Sequence, residues 1–252
     1  MKKARLDTLL VERGLVASRE RARAMILAGQ VRVDGHPVTK AGATVHDEAS
    51  VTLTGPDHPY VGRGGVKLAH ALEAFGVSVT DRLALDIGAS TGGFTDVLLQ
   101  RGAARVVALD VGHGQLDWKL RTDPRVVVLE RVNARTLTLE QLPADARSFD
   151  VVTIDVSFIS LRQILPALPP LVQPDADVIA LVKPQFEAGR TDVGKGGIVR
   201  DAAIHLRVVA EVTEAAERLG FRRLGMVESP ITGMEGNREF LVHLRATAEN
   251  AL

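Results

Sequence analysis

The sequence predicts an α/β protein with a small α+β module in front of it. Three observations predict this. From Val66 onward, apolar runs of strand length alternate with helical segments, the pattern of a mostly parallel sheet with helices on both faces. The first 45 residues read instead as two short helices followed by short strands. Charge divides along the same line. Residues 1–45 hold nine basic and four acidic side chains, a balance of +5, and the rest holds 22 basic and 27 acidic, a balance of −5. A basic end on an acidic body suits a module that binds a polyanion.

The 252 residues are 46% hydrophobic and 25% charged, too apolar for disorder and long enough for a large domain plus a small one. There is no cysteine, which excludes a disulfide scaffold, a Cys-ligated zinc and a Cys nucleophile. The opening MKKARLDTLLVERG carries charge throughout, and no apolar run approaches the roughly 18 to 20 residues of a membrane span. These features predict a soluble cytoplasmic protein with no membrane partner; a monomer is expected. The seven histidines show no metal-ligand spacing, so no metal is assigned.

In chain order, Arg5–Arg13 reads as a helix with Leu6, Leu9 and Leu10 on one face, ended by Gly14. Ser18 is an N-cap for a second helix, Arg19–Leu27, and Gly29 falls where a C-terminal cap belongs. QVRVDGHPV reads as a strand, a turn at Asp34-Gly35 and a second strand; Ser50–Leu53 is another. This module spans residues 1–54. Gly55–Gly65 is rich in Gly and Pro and reads as a linker to a second domain, 66–252. There a helix near 65–75 precedes strand Leu83–Ile87. Helix 93–100 leads to strand Arg105–Asp110, and a short helical stretch, 116–120, to strand Val126–Leu129. Strand Asp150–Asp155 precedes a helix over 161–168. Strand Val178–Val182 ends at Lys183-Pro184, and a Gly-rich loop, Phe186–Arg200, follows. The clearest helix, Asp201–Leu219, carries Ile204, Val208, Val212 and Ala216 at helical spacing, before strands Arg222–Val227 and Glu239–Leu244.

The first strand of the large domain runs into DIGASTGGFTDVLL, residues 86–99. Glycines at a strand-to-helix turn admit a ligand close to the backbone, and the helix start offers free N–H groups. The spacing is neither the dinucleotide fingerprint nor a P-loop; it is DxGxxxG, with Asp86 at the strand end. An acid there suits a ligand with a cation near the loop, such as the α-ammonium of S-adenosylmethionine. Candidate cofactor contacts are Asp86, Gly88, Ala89, Ser90, Gly92, Gly93 and Phe94. Asp110, ending the next strand, stands where doubly wound folds put a carboxylate on ribose hydroxyls, and Asn133 follows the third strand, where it could read an adenine edge.

Two lysines and two acids stand at element ends, where open α/β sheets put their sites. Asp155 ends the fourth strand (VVTIDVSF) and borders the cofactor; Lys183 ends the fifth (ALVKPQFE). Lys67 starts the helix before the first strand, and Glu239 starts the last (GNREFLVHL). Lysine is rarely buried unpaired, and one near carboxylates and a second cation suits removal of a hydroxyl proton. Phe158, just after Asp155, could stack on a base, whereas Trp118 reads as core packing. His113 could line the cofactor pocket or simply occupy a loop. Lys195 and Arg200, in the Gly-rich loop, could form a lid over RNA or an ordinary surface loop.

The N-terminal pattern RLDTLL followed by SRERARAMILAGQVRVDG resembles the S4 RNA-binding domain. The resemblance implies that Lys3, Arg5, Arg19, Arg21 and Arg23, with Arg63 in the linker, meet RNA phosphates by shape. Lys67, Asp155, Lys183 and Glu239 resemble the Lys–Asp–Lys–Glu tetrad of FtsJ-type ribose 2′-O-methyltransferases. With GVKL, GASTGGFTDVLL, DVGHGQLDWKLR, DVSFISL and LVKPQFE, the whole chain is similar to the TlyA family, which also carries the name hemolysin A. The family implies a Rossmann-like S-adenosylmethionine-dependent methyltransferase fold with a mostly parallel seven-stranded sheet. It implies 2′-O-methylation of cytidine in ribosomal RNA, of the large subunit and in some members of both, with ribosomal RNA or subunits as partner. Lys183 is then the base, Asp155 its holder, and Lys67 and Glu239 orient it. Three other readings compete: a non-catalytic RNA-binding assembly factor, a membrane-active hemolysin, and an NAD-dependent enzyme. The intact tetrad, the absence of a span and the DxGxxxG spacing argue against them in turn.

Overall fold

A computed structural model describes residues 3–16, 18–27, 29–40, 42–54, 58–233 and 236–247. The chain divides into two compact units, 1–59 and 60–252. Part of the expected linker, residues 55–57, lies outside the described residues.

The first unit contains β1 (Lys3–Arg5), α1 (Leu6–Glu12), α2 (Arg19–Leu27), β2 (Val31–Val33), β3 (His36–Pro37), β4 (Thr44–His46) and β5 (Val51–Leu53). The helix expected from Arg5 begins one residue later, because Lys3–Arg5 is extended and pairs antiparallel with Thr44–His46. The backbone turns helical only after Arg5, and the Leu6 N–H is taken by the Ala43 carbonyl at 2.9 Å. Ser18 accepts from the Arg21 N–H at 3.2 Å, as an N-cap does. Strand β2 runs between β3 and β5, and Leu6, Leu10, Ala22, Ile26 and Val31 close a small apolar core.

The second unit runs α3 (Gly64–Phe75), β6 (Leu83–Ile87), α4 (Gly93–Gln100), β7 (Arg105–Asp110), α5 (Trp118–Arg121), β8 (Val126–Glu130), β9 (Phe149–Ile154) and β10 (Val172–Val182). It closes with α6 (Pro184–Glu187), α7 (Ala202–Glu217), β11 (Phe221–Glu228) and β12 (Phe240–Ala246). Its seven strands are ordered β11-β12-β10-β9-β6-β7-β8, and β12 pairs antiparallel with both its neighbours in an otherwise parallel sheet. Alternate strand residues feed two cores. Leu85, Ile87 and Val107 pack on one face, and Ala84, Val106 and Ala108 meet α3 and α4 residues on the other. The helix expected over 161–168 is a series of short 3₁₀ turns, because Pro166, Pro169 and Pro170 withhold the N–H groups an α-helix needs.

The topology determines where the site lies. Strands β6, β9 and β10 end on one edge and deliver Gly88, Asp155 and Lys183 there. Because β12 runs the other way, its start lies at that same edge, and Phe240 pairs with Val182. Glu239 therefore joins residues that follow parallel strands. The order also reverses around β6, the crevice position in which open α/β sheets bind ligands.

Candidate active site

A cleft at this edge has a volume of about 470 Å³, within the range of small-molecule sites. Its walls include Gly88, Ser90, Asp110, Asn133, Asp155 and Phe158. Gly88 has φ +84°, and a Cβ there would lie 2.3 Å from the Asp155 carbonyl oxygen, so the two loops touch backbone to backbone. Asp110 is held by two backbone donors: Ser90 N–H to Oδ2 at 2.8 Å and Gly112 N–H to Oδ1 at 2.7 Å. Its carboxylate is thereby fixed at the cleft wall. Asn133 accepts from the Arg135 N–H at 3.0 Å while lining the cleft.

A second cavity, about 190 Å³, is lined by Ala89, Ser90, Gly93, Phe94, Ser157 and Lys183 among others, and shares Gly88, Asp155 and Ser157 with the first. A third, about 220 Å³, lies against Arg63, Lys67, Ile231, Thr232 and Gly233 and shares Gly64 and Asp155 with the second. Asp155 borders all three.

Around it stand two ion pairs. Lys183 Nζ lies 2.6 Å from Asp155 Oδ1 and donates to Ser157 Oγ at 2.9 Å. Lys67 Nζ lies 2.5 Å from Glu239 Oε2. Lys67, Lys183 and Glu239 are all buried. Buried charges persist only when paired, and these are paired two by two. The tetrad positions thus form two pairs: Asp155 and Lys183 border the second cavity, and Lys67, held by Glu239, borders the third. Ser157 completes the group; a serine two residues beyond a strand end gave no signal in the sequence.

Two loop residues are placed differently from expectation. Asp86 is fully buried beneath the loop and accepts from Thr95 Oγ1 at 2.6 Å and Thr153 Oγ1 at 2.9 Å. It lines none of the three cavities, so its carboxylate braces the loop from below instead of meeting a ligand cation. Burial pushes it up to about 6, against the pull of both hydroxyls. A Cβ on Gly92 would meet Leu120 Cδ1 at 2.2 Å, so that glycine makes room for packing. Trp118, expected in the core, is 73% exposed. Phe158 is 85% exposed at the cleft rim, with φ +64° and its ring 5.0 Å from that of Phe186. A bulky residue with positive φ carries strain.

Within the first unit, Arg5 and Arg19 both grip the buried Asp7, at 2.9 and 3.2 Å to Oδ2. The Arg5 guanidinium, foremost, holds the Asp7 carboxyl well below the usual range. Arg5 and Arg19 therefore brace the module as well as remaining partly exposed, whereas Lys3, Arg21 and Arg23 are exposed. In the second unit, Arg63 Nη2 donates to the Thr232 carbonyl at 3.2 Å beside the third cavity. Lys195 and Arg200 are also exposed, but the loop between them is tethered: Val199 N–H donates to Asn237 Oδ1 at 3.0 Å.

The sheet order and its edge cleft define the Rossmann-like methyltransferase class, joined here to an S4 domain. The S4 domain model matches residues 4–51 and the FtsJ-like methyltransferase model residues 60–246. The chain belongs to the FtsJ-like methyltransferase family. It is 50% identical to the 16S/23S rRNA (cytidine-2′-O)-methyltransferase TlyA of Mycobacterium tuberculosis, over all of this chain and 93% of that one. It is 42% identical to Hemolysin A of Brachyspira hyodysenteriae, over 95% of this chain and 98% of that one. Among solved structures, a Streptococcus thermophilus protein that carries the hemolysin name has a TM-score of 0.77 and 46% identity, covering 98% of this chain and 90% of that one. No helix among the described residues is long and apolar enough to cross a membrane.

Proposed function

We propose that this protein methylates the ribose 2′-oxygen of cytidine in ribosomal RNA, with S-adenosylmethionine as donor. One observation carries the reading: the Lys183–Asp155 pair borders the second cavity, which shares lining residues with both the 470 Å³ cleft and the cavity of Arg63 and Lys67. A donor on one side and an acceptor on the other would meet at Lys183.

The residues fit such a donor. Gly88 brings its loop against the Asp155 backbone, and both residues line the cleft. Asp110 would accept from ribose hydroxyls, Asn133 would meet the adenine edge, and the backbone of Gly88–Phe94 would take the methionine end. When bound, S-adenosylmethionine supplies an electrophilic methyl group, so the protein's tasks are alignment and proton removal. The base is the neutral Lys183 amine, its own proton released beforehand to solvent: Nζ takes the proton from the 2′-hydroxyl as its oxygen attacks, and Asp155 stabilises the ammonium that results. Ser157 fixes the direction of Nζ. The Lys67–Glu239 pair holds the acceptor side, with Lys67 and Arg63 beside the RNA phosphates. Phe158 stacks on an exposed base, and the arginines of the first unit hold more distant phosphates.

Transfer of labelled methyl to ribosomal RNA tests the reading. The wild type should transfer it, and Lys183→Ala should lose about 10²- to 10⁴-fold in rate, the usual worth of a general base, while still binding donor and RNA. Wild-type turnover in the folded variant would remove Lys183 from the chemistry.

A further inference from the structure

The described residues just before Glu239 have fixing points that lead away from the site. Gly233 packs directly on its carboxylate; a Cβ there would lie 2.0 Å from Oε1. The Gly233 N–H donates to the Asn237 carbonyl at 2.8 Å. Asn237 is 2% exposed, and its side chain leaves the connection altogether. Its Oδ1 accepts from Val199 N–H at 3.0 Å and its Nδ2 donates to the Gly197 carbonyl at 2.9 Å. The Val199 carbonyl is held in turn by His205 Nε2 of α7 at 2.8 Å. The segment so gripped is a tight turn, with Gly194 N–H on the Ile198 carbonyl at 3.0 Å, and it presents Lys195 and Arg200 to solvent.

A continuous path of contacts thus runs from the 194–200 loop through Asn237 and Gly233 to Glu239 and on to Lys67. We propose that Asn237 is a positioning residue that ties the placement of Glu239 to this loop, so that RNA phosphates held by Lys195 and Arg200 help set the Lys67–Glu239 pair. The inference rests on the methyl-transfer reading above. The amide is the group that suits this task. It supplies an acceptor and a donor to two backbone groups two residues apart, and neither an ionised carboxylate nor an aliphatic side chain can do both. Buried between them, it also has no water to substitute for a lost bond.

The test is a double-mutant cycle on methyl transfer at saturating RNA and donor. Asn237→Asp, assayed at a pH where its carboxylate is ionised, keeps the acceptor for Val199 but turns an oxygen toward the Gly197 carbonyl; Lys195→Ala/Arg200→Ala removes the exposed cations. Asn237→Asp should slow single-turnover transfer about 10-fold or more, a misplacement effect, with donor affinity unchanged. The loop variant should slow transfer in the wild type and have no further effect in the Asn237→Asp background, because residues along one path are not additive. Asn237→Ser replaces Asp if the latter does not fold, under the same criterion. Undiminished transfer in the Asn237 variants, or losses that multiply, would overturn the coupling. A wild type that transfers nothing to RNA would instead overturn the methyl-transfer reading itself.

Discussion

Each buried ionisable residue of the site has a partner that gives it one task. Lys183 faces Asp155 and Ser157, an arrangement that orients Nζ but leaves it near the cavity junction. Lys183→Arg separates base from electrostatic roles. It keeps the charge but holds its proton at any working pH, so transfer should fall nearly as far as in Lys183→Ala. Activity in the arginine variant, measured as initial rate, would mean that the position acts by charge alone. Asp86 makes a different prediction. Burial raises it to about 6, whereas an unfolded chain titrates it near about 3.9. The native state therefore binds the extra proton between these values, and this group's contribution to stability falls as pH rises through the window. Asp86→Asn should remove that slope: relative to wild type, its urea midpoint should improve between pH 4 and pH 7. A constant difference across that range would contradict the assignment.

Loops and strand ends carry the site, and their legibility in the sequence differed for physical reasons. The tetrad was singled out by its resemblance to the FtsJ type, whereas the DxGxxxG turn and the strands around it were readable because strand periodicity is local. Asp86 was misread for the same reason. Its position before the glycine resembles a ligand contact, but Thr95 and Thr153, nine and 67 residues away, decide where it points. The helix expected over 161–168 gave way to 3₁₀ turns because of prolines that were visible in the sequence. Ser157, Gly233 and Asn237 gave no pattern, because their roles arise only when distant loops meet. At Gly88 the loop contact itself can be tested. Gly88→Ala would force a Cβ against the Asp155 carbonyl at positive φ, and donor binding by calorimetry should be lost; retained affinity would show that the loops can part. Away from the site, Asp177 fastens β10 to its surroundings, accepting from Arg82 Nη1, His243 Nε2 and Arg245 Nη2, each at 2.7 Å. Those partners hold its carboxyl well below the usual range despite burial. Asp177→Ala leaves the Arg82 and Arg245 guanidinium groups without their carboxylate. It should cost about 3 kcal/mol in urea unfolding, the low end for a broken buried pair, because both arginines retain some solvent. A loss under about 1 kcal/mol would show that water replaces the carboxylate.

At the scale of the molecule, the proposed function makes the division of charge a division of labour. The +5 balance lies in residues 1–45, within the S4 unit, and the chemistry lies in the other unit. Neutralising Arg21 and Arg23 should weaken RNA binding and flatten its salt dependence, since fewer counterions are released. Neutralising Arg19 should also destabilise the first unit, because it frees the buried Asp7 carboxylate. An unaltered salt slope in the Arg21/Arg23 variant would assign RNA affinity to the catalytic unit alone. The central claim, however, is where the methyl group goes. A lysine beside a carboxylate suits a hydroxyl, whose proton must leave as its oxygen attacks, and a chain without cysteine lacks the nucleophile commonly used for carbon methylation of pyrimidines. Methylation of the 2′-oxygen removes the internal nucleophile that cleaves RNA in alkali. Ribosomal RNA labelled from tritiated donor should therefore yield its label in an alkali-resistant dinucleotide, with a gap at that position in the hydrolysis ladder. Recovery of the label in the free base after acid hydrolysis would contradict the account.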